Sequence, residues 1–126
     1  NFNFFAKVVL KKAYAVKSRL TPEIHRQFLQ PFASKSSRKG NWVFPREIIG
    51  SSAWLSDLWE KFPSIAHKPA LILWGDKDIA FKKAQLEFWK SILVDVEVHT
   101  FADAGHYPHE EKADEVNGFL RKFLAR

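Results

Sequence analysis

The sequence predicts an α/β protein in which a helical first part precedes a strand–helix–strand–helix unit. Apolar residues recur at helical spacing through residues 1–66, whereas apolar runs typical of strands occur only after residue 67. The chain has 126 residues, of which 46% are hydrophobic, and this is enough for one packed core. We therefore divide the chain into a helical segment, residues 1–66, and an α/β segment, residues 67–126.

Two amphipathic helices are predicted at the start of the chain. Residues 4–16 carry apolar side chains at helical spacing, with lysines on the opposite side. Thr21 is a typical helix cap, and Pro22 suits the first position of the helix that follows it. Pro31 is expected to stop this second helix.

A loop and a further helix complete the first segment. Residues 34–41 are polar and have no period, so they predict a loop, and Pro45 is expected to open a short helical turn after it. Residues 51–62 place their large apolar side chains in a one-sided stripe, which predicts a helix that Pro63 ends.

The second segment alternates strands and helices. Residues 70–75 form a continuous apolar run and residues 96–101 alternate, so both predict strands, with helices expected at residues 82–93 and 110–124. A crossover helix makes the two strands parallel. Two strands alone cannot build the buried sheet that such an apolar run implies, so we expect further strands before residue 1 and an open apolar edge here.

Composition excludes several classes of function. The net charge of +6 comes from residues 1–66, which hold eleven Lys and Arg against four Asp and Glu. No nucleic-acid motif accompanies this charge, so solvated helix faces explain it better than a nucleic-acid partner. The absence of Cys excludes disulfides, thiolate metal sites and cysteine nucleophiles, and no run has the length of a membrane span. We expect a cytoplasmic protein that binds no membrane.

Candidate chemistry lies in the two loops that follow the predicted strands. Asp78 follows the first strand and His106 follows the second, and parallel strands bring such loops to the same edge of a sheet. An acid followed by a histidine at adjacent strand ends matches the last two members of a catalytic triad in the order nucleophile, acid, base. Asp76 and Asp103 are interpreted as turn formers. His106 and His109 lack the helical i, i+4 spacing of a zinc pair, so no metal is predicted.

The same loops resemble the carboxyl-terminal signature of the α/β-hydrolase fold, and most closely its haloalkane dehalogenase branch. The resemblance rests on residues 71–78 (LILWGDKD), on residues 101–106 (FADAGH) and on the acidic pair at 110–111. Upstream, residues 42–48 (WVFPREI) resemble a stretch of that branch's helical cap. The resemblance implies that residues 1–66 are a cap segment and that residues 67–126 are the carboxyl-terminal part of the core.

The resemblance also implies roles for the paired residues. His106 would activate water and Asp78 would hold its ring, while an Asp nucleophile would lie outside these 126 residues, so the chain alone is expected to be inactive. Some dehalogenases take their acid from an earlier strand, so Asp78 is the favoured acid and not the sole candidate. The implied partners are a small apolar substrate and water, with no cofactor. Trp54, Leu55 and Trp59 are candidates for lining the substrate pocket, although core packing explains them equally well.

Several functions remain open at this point. The leading prediction is cleavage of carbon–halogen bonds, and relatives that act on β-lactones share the nucleophile type and the cap. An epoxide hydrolase or a serine esterase of the same fold is also compatible, as is a catalytically silent fragment with an interaction role. Self-association through the exposed sheet edge is expected in each case.

Overall fold

A computed structural model of the chain describes residues 3–126. Its first part is helical. A π-helix over Phe5–Val9 runs into α1 (Leu10–Ala13), and α2 (Pro22–Leu29), α3 (Lys39–Gly50) and α4 (Ser52–Lys61) follow. Short 3-10 turns lie at Lys17–Arg19, Gln30–Phe32 and Phe62–Ser64. Within residues 3–126, no helix has the length and apolarity that a membrane span requires.

The second part has the predicted alternation. Strand β1 (Ala70–Gly75) is followed by α5 (Lys83–Ile92), β2 (Val96–Phe101), α6 (Pro108–Glu111) and α7 (Ala113–Leu124). The strands are parallel and in register from the pair Ala70 and Val96 to the pair Gly75 and Phe101. Because both strands end at the same level, the loops that follow them leave the sheet side by side. Among the described residues the sheet has no third strand, so the outer edge of β1 is open.

The described core is small and lies under the ends of the strands. Phe101, Ala104 and Val116 are buried together, and Leu73 and Phe119 pack against them. A second buried group belongs to the first helical turns of the chain, and its members are Ala6, Leu10, Ala13 and Tyr14. Many other large apolar side chains remain exposed. They include Trp42, Phe44, Ile49, Trp54 and Ile65.

The first predicted helix ends earlier than expected. It was expected to reach Val16, but the helix stops at Ala13 and Tyr14 is extended. The carbonyl of Ala13 accepts a hydrogen bond from the backbone N–H of His106. The N–H groups of Ala15 and Val16 donate to the side-chain carboxylate of Glu111. Tertiary hydrogen bonds thus use the backbone groups that would have continued the helix.

The predicted loop at residues 34–41 is wrong in its second half, because α3 begins at Lys39 and carries Pro45 inside it. Proline costs a helix one backbone hydrogen bond and adds a clash. Here the helix continues through the proline, and the guanidinium of Arg46 lies over the ring of Trp42, 5.3 Å from its centre. This i, i+4 contact spans the proline and favours the helical backbone.

The last predicted helix is interrupted. Residues 110–124 were expected to form one helix, but Lys112 has φ −136° and ψ 40° and separates α6 from α7. The break turns the side chain of Glu111 into the protein interior, where it is buried. The side chain of Lys112 points outward and pairs with Asp103 and Glu115.

The cap of α2 is as predicted, since Thr21 Oγ1 accepts the N–H of Ile24.

The division between residues 66 and 67 remains a proposal. Every described strand lies after residue 69, and residues 42–44 belong to α3 and not to the sheet. The segment around residues 13–16 is nevertheless bonded directly to the loop after β2. The proposed cap is thus attached to the core at this point.

Candidate active site

The loops after β1 and β2 are held together by their own backbones. The N–H of Asp76 donates to the carbonyl of Phe101 at 3.0 Å, and the N–H of Lys77 donates to the carbonyl of Ala104 at 2.9 Å. Gly75 allows this close approach, because a Cβ at that position would lie 2.0 Å from the carbonyl oxygen of Gly105. The relative position of the two loops is therefore set by main-chain contacts.

This arrangement places Asp78 beside His106. The Nδ1 atom of His106 lies 2.9 Å from Oδ2 of Asp78. The other carboxylate oxygen, Oδ1, accepts the backbone N–H groups of Ala80 at 2.7 Å and of Phe81 at 3.1 Å. Both oxygens are thus engaged, and the carboxylate is fixed with one oxygen directed at the imidazole.

The carboxylate is ionised and oriented. Burial by itself would raise the pKa of Asp78, whose side chain is 9% exposed. The hydrogen bonds from His106, Ala80 and Phe81 outweigh burial and hold the pKa of Asp78 below its ordinary value. A negative oxygen at Nδ1 favours the tautomer that carries its proton there, which leaves Nε2 free to accept a proton.

Aromatic rings surround the histidine. Phe81 stacks on the His106 ring at 5.5 Å, and Tyr107 meets it edge-on at 5.2 Å. Tyr107 in turn stacks on Tyr14 at 5.6 Å and contacts Phe28 at 6.0 Å. The imidazole is 31% exposed, so one side remains open to a reactant. Sequence reasoning missed these four aromatic residues.

Their positions explain why they were missed. Phe81 and Tyr107 are close in sequence to Asp78 and His106, and that proximity was a usable signal. Tyr14 reaches the site from the extended residues directly after α1, and Phe28 reaches it from α2, so no local pattern predicts their contact. Burial raises the pKa of Tyr14 to about 12, with a further contribution from Glu110 and Glu111. Burial and the charge of Asp78 also raise the pKa of Tyr107.

The three pocket candidates lie elsewhere. Leu55 and Trp59 line a surface groove of about 460 Å³ together with Trp89, and neither Asp78 nor His106 lines it. Trp59 stacks on Phe62 at 5.0 Å and on Phe88 at 5.8 Å, and it contacts Trp89 edge-on. Trp54 is 61% exposed and does not line the groove. The described structure therefore does not bring these side chains to the Asp78–His106 pair.

Two other polar side chains, Asp103 and His25, make structural contacts. Asp103 pairs with Arg19 and Lys112 at the surface, and these contacts hold the pKa of Asp103 at about 2. His25 Nε2 contacts the carbonyl of Ala6 at 2.9 Å, which ties α2 to the first helix. Among residues 3–126, no three His, Cys, Asp or Glu side chains converge to form a metal site.

The Asp78 pair predicts how stability depends on pH. A carboxyl group whose pKa is lower in the folded state stabilises the fold above its unfolded pKa, and this contribution is lost as the pH falls through the folded pKa. We expect the free energy of unfolding to fall as the pH falls below about 5, where an unfolded Asp begins to bind its proton, and Asp78→Asn to reduce that dependence. Urea unfolding across this range measures it. Asp76→Asn, at an exposed neighbouring position, is the matched control and should keep the wild-type dependence.

Two parallel strands with an acid–histidine pair at their carboxyl ends define the class of protein. The chain belongs to the α/β-hydrolase fold family, whose sequence pattern matches residues 7–113. This confirms the fold class and the family predicted from the two loops.

Individual relatives refine the comparison. The chain is 31% identical to the cis-3-alkyl-4-alkyloxetan-2-one decarboxylase of Shewanella oneidensis, over 98% of this chain and 40% of the relative. It is 33% identical to the enzyme of that name from Xanthomonas campestris pv. campestris, over 88% and 39%. It is 25% identical to haloalkane dehalogenase 2 of Mycobacterium tuberculosis, over 90% and 40%. The chain thus spans about two fifths of the length of these relatives.

Proposed function

We propose that these residues are the carboxyl-terminal part of an α/β-hydrolase-fold enzyme in which His106 is the general base and Asp78 orients it. The hydrogen bond of 2.9 Å between His106 Nδ1 and Asp78 Oδ2 carries the proposal. In this role Nε2 of His106 accepts a proton from water, and Asp78 stabilises the imidazolium that forms. The open side of the imidazole leaves room for that water.

The nucleophile is proposed to be a carboxylate outside these residues. It would displace a leaving group from the substrate and form an ester, which the water activated by His106 would then cleave. The aromatic side chains of Phe81 and Tyr107 around the imidazole favour a small apolar substrate. No cofactor takes part in this scheme.

Among substrates, we favour a dialkyl oxetan-2-one, a strained four-membered cyclic ester. The decarboxylases named for this substrate are 31% and 33% identical to the chain, compared with 25% for the haloalkane dehalogenase. On this substrate the nucleophile would attack C4 and break the O1–C4 bond, and cleavage of the resulting ester by water would leave a 3-hydroxy carboxylate. Loss of carbon dioxide would then break the C2–C3 bond, make the C3=C4 double bond and expel the C4 hydroxyl, which takes the proton held by His106 and leaves as water. Haloalkane cleavage, the leading prediction from the sequence, is the second candidate, supported by the dehalogenase relative.

A chimera can distinguish these substrates. This chain would replace the matching part of the Shewanella oneidensis relative, with circular dichroism to verify folding and the intact relative as the positive control. The chimera would be given a cis-3,4-dialkyl oxetan-2-one, a 1-bromoalkane and a nitrophenyl ester. We expect alkene and carbon dioxide from the first substrate, detected by mass spectrometry. Halide release without alkene would favour the second candidate, and ester cleavage alone would count against both candidates.

A further inference from the structure

Glu111 is a buried carboxylate outside the acid–histidine pair. The residue is 6% exposed and its side chain is fully buried, although it follows the exposed Glu110 in sequence. A buried charge is costly unless hydrogen bonds compensate for the lost water. The partners of this carboxylate therefore show what its burial achieves.

Glu111 joins two segments that are far apart in sequence. Its Oε1 atom accepts the N–H of Gly105 at 2.6 Å, directly before His106. Its Oε2 atom accepts the N–H groups of Ala15 at 2.9 Å and of Val16 at 3.1 Å. All three donors are backbone groups, so the carboxylate holds the main chain on both sides.

A backbone hydrogen bond completes the connection. The N–H of His106 donates to the carbonyl of Ala13 at 2.9 Å. The two segments touch so closely that a Cβ at Gly105 would lie 2.2 Å from the Ala13 oxygen and 2.8 Å from the Ala15 nitrogen. The N–H of the Gly105–His106 peptide is therefore bonded directly to Ala13. The N–H of the Ala104–Gly105 peptide is bonded to Glu111, which in turn is bonded to residues 15 and 16.

We propose that Glu111 is a positioning residue, which holds the backbone of His106 so that the imidazole meets Asp78, and which anchors the helical segment at residues 13–16 to the same loop. Without the carboxylate, three N–H groups lose their acceptor, and the Ala104–Gly105 peptide, directly before His106, is free to turn. The imidazole then no longer has one preferred orientation. The link to catalysis rests on the proposed function, whereas the link to the orientation of His106 does not.

The test compares Glu111→Gln with Glu110→Gln in the 126-residue chain labelled with 15N-histidine. Glutamine keeps the shape of the Glu111 side chain but has only one acceptor oxygen. Its NH₂ group must therefore face either the N–H of Gly105 or the N–H groups of Ala15 and Val16, which then have no acceptor. We expect Glu111→Gln to lower the fraction of the Nδ1–H tautomer of His106 in NMR spectra. We also expect it to speed amide exchange at Gly105 and Ala15 about tenfold or more. Glu110→Gln should match the wild type in both.

The outcomes are separable. A folded Glu111→Gln variant with a wild-type His106 tautomer would overturn the proposal. If that variant does not fold, the wild-type chain decides, because Gly105 and Ala15 amides that exchange as fast as an unstructured peptide would also overturn it. In the chimera, Glu111→Gln should lower kcat and leave KM nearly unchanged. A chimera without turnover would contradict the proposed function but would leave the tautomer result standing.

Discussion

We expect the 126-residue chain by itself to show no turnover of oxetan-2-ones, haloalkanes or esters. A base and its orienting acid cannot form the covalent intermediate when the proposed nucleophile lies outside the chain. In the chimera, where a nucleophile is supplied, turnover should appear, and His106→Ala should lower kcat by about 10²–10⁴-fold. The measurement is alkene, halide and nitrophenol release by the chain, the chimera and the variant.

Two results would contradict this prediction. Activity of the lone chain that His106→Ala abolishes would mean that a nucleophile lies within these residues. A chimera whose activity survives His106→Ala would show that another residue is the base. The open edge of β1 is also proposed to make the lone chain self-associate, which sedimentation of the chain and of the chimera would compare.

Gly75→Ala is expected to have the largest effect on stability. A Cβ at this position would lie 2.0 Å from the carbonyl oxygen of Gly105 and 2.7 Å from that of Ala104. Both obstacles are backbone atoms, so a rotamer change cannot relieve the clash and the two loops must separate. We expect destabilisation of about 3 kcal/mol, as for severe overpacking, together with loss of the His106–Asp78 hydrogen bond.

The matched control is Gly118→Ala. Gly118 lies inside α7, and a Cβ there would meet nothing within 4 Å. Alanine favours a helix over glycine by about 1 kcal/mol, so this variant should be slightly more stable than the wild type. Urea unfolding measures both changes. Equal stability of Gly75→Ala and the wild type would show that the two loops do not approach each other as closely as the structure describes.

Much of the α/β segment could be predicted from local sequence. Both strands lie at the predicted residues, because a continuous apolar run and an alternating run that are bounded by turn residues have few alternative structures. Their parallel pairing follows from the intervening helix. The proximity of Asp78 and His106 follows in turn from the pairing, although their catalytic roles remain predictions.

The helical segment could be predicted less completely. Residues 34–41 were predicted to be a loop and Pro45 to open a helical turn, yet α3 begins at Lys39 and continues through Pro45, because a side-chain pair that spans the proline supports the helix there. Of the three pocket candidates, Trp59 packs against aromatic residues of α5, Leu55 lines the same groove and Trp54 stays exposed, so none of them meets the site. Periodicity identifies the face of a helix and does not identify what that face meets.

The sequence by itself therefore determined the fold family, the two strands and the proximity of Asp78 and His106, because the strands depend on local runs of residues and their parallel pairing follows from the helix between them. Only the tertiary structure decided where the first helix ends, where the last helix breaks and what Glu111 contacts. These features share one physical cause, which is that buried backbone N–H and carbonyl groups must be paired. At residues 13–16 and 105–111 the partners are about ninety residues apart in sequence, so no local pattern could predict the pairing.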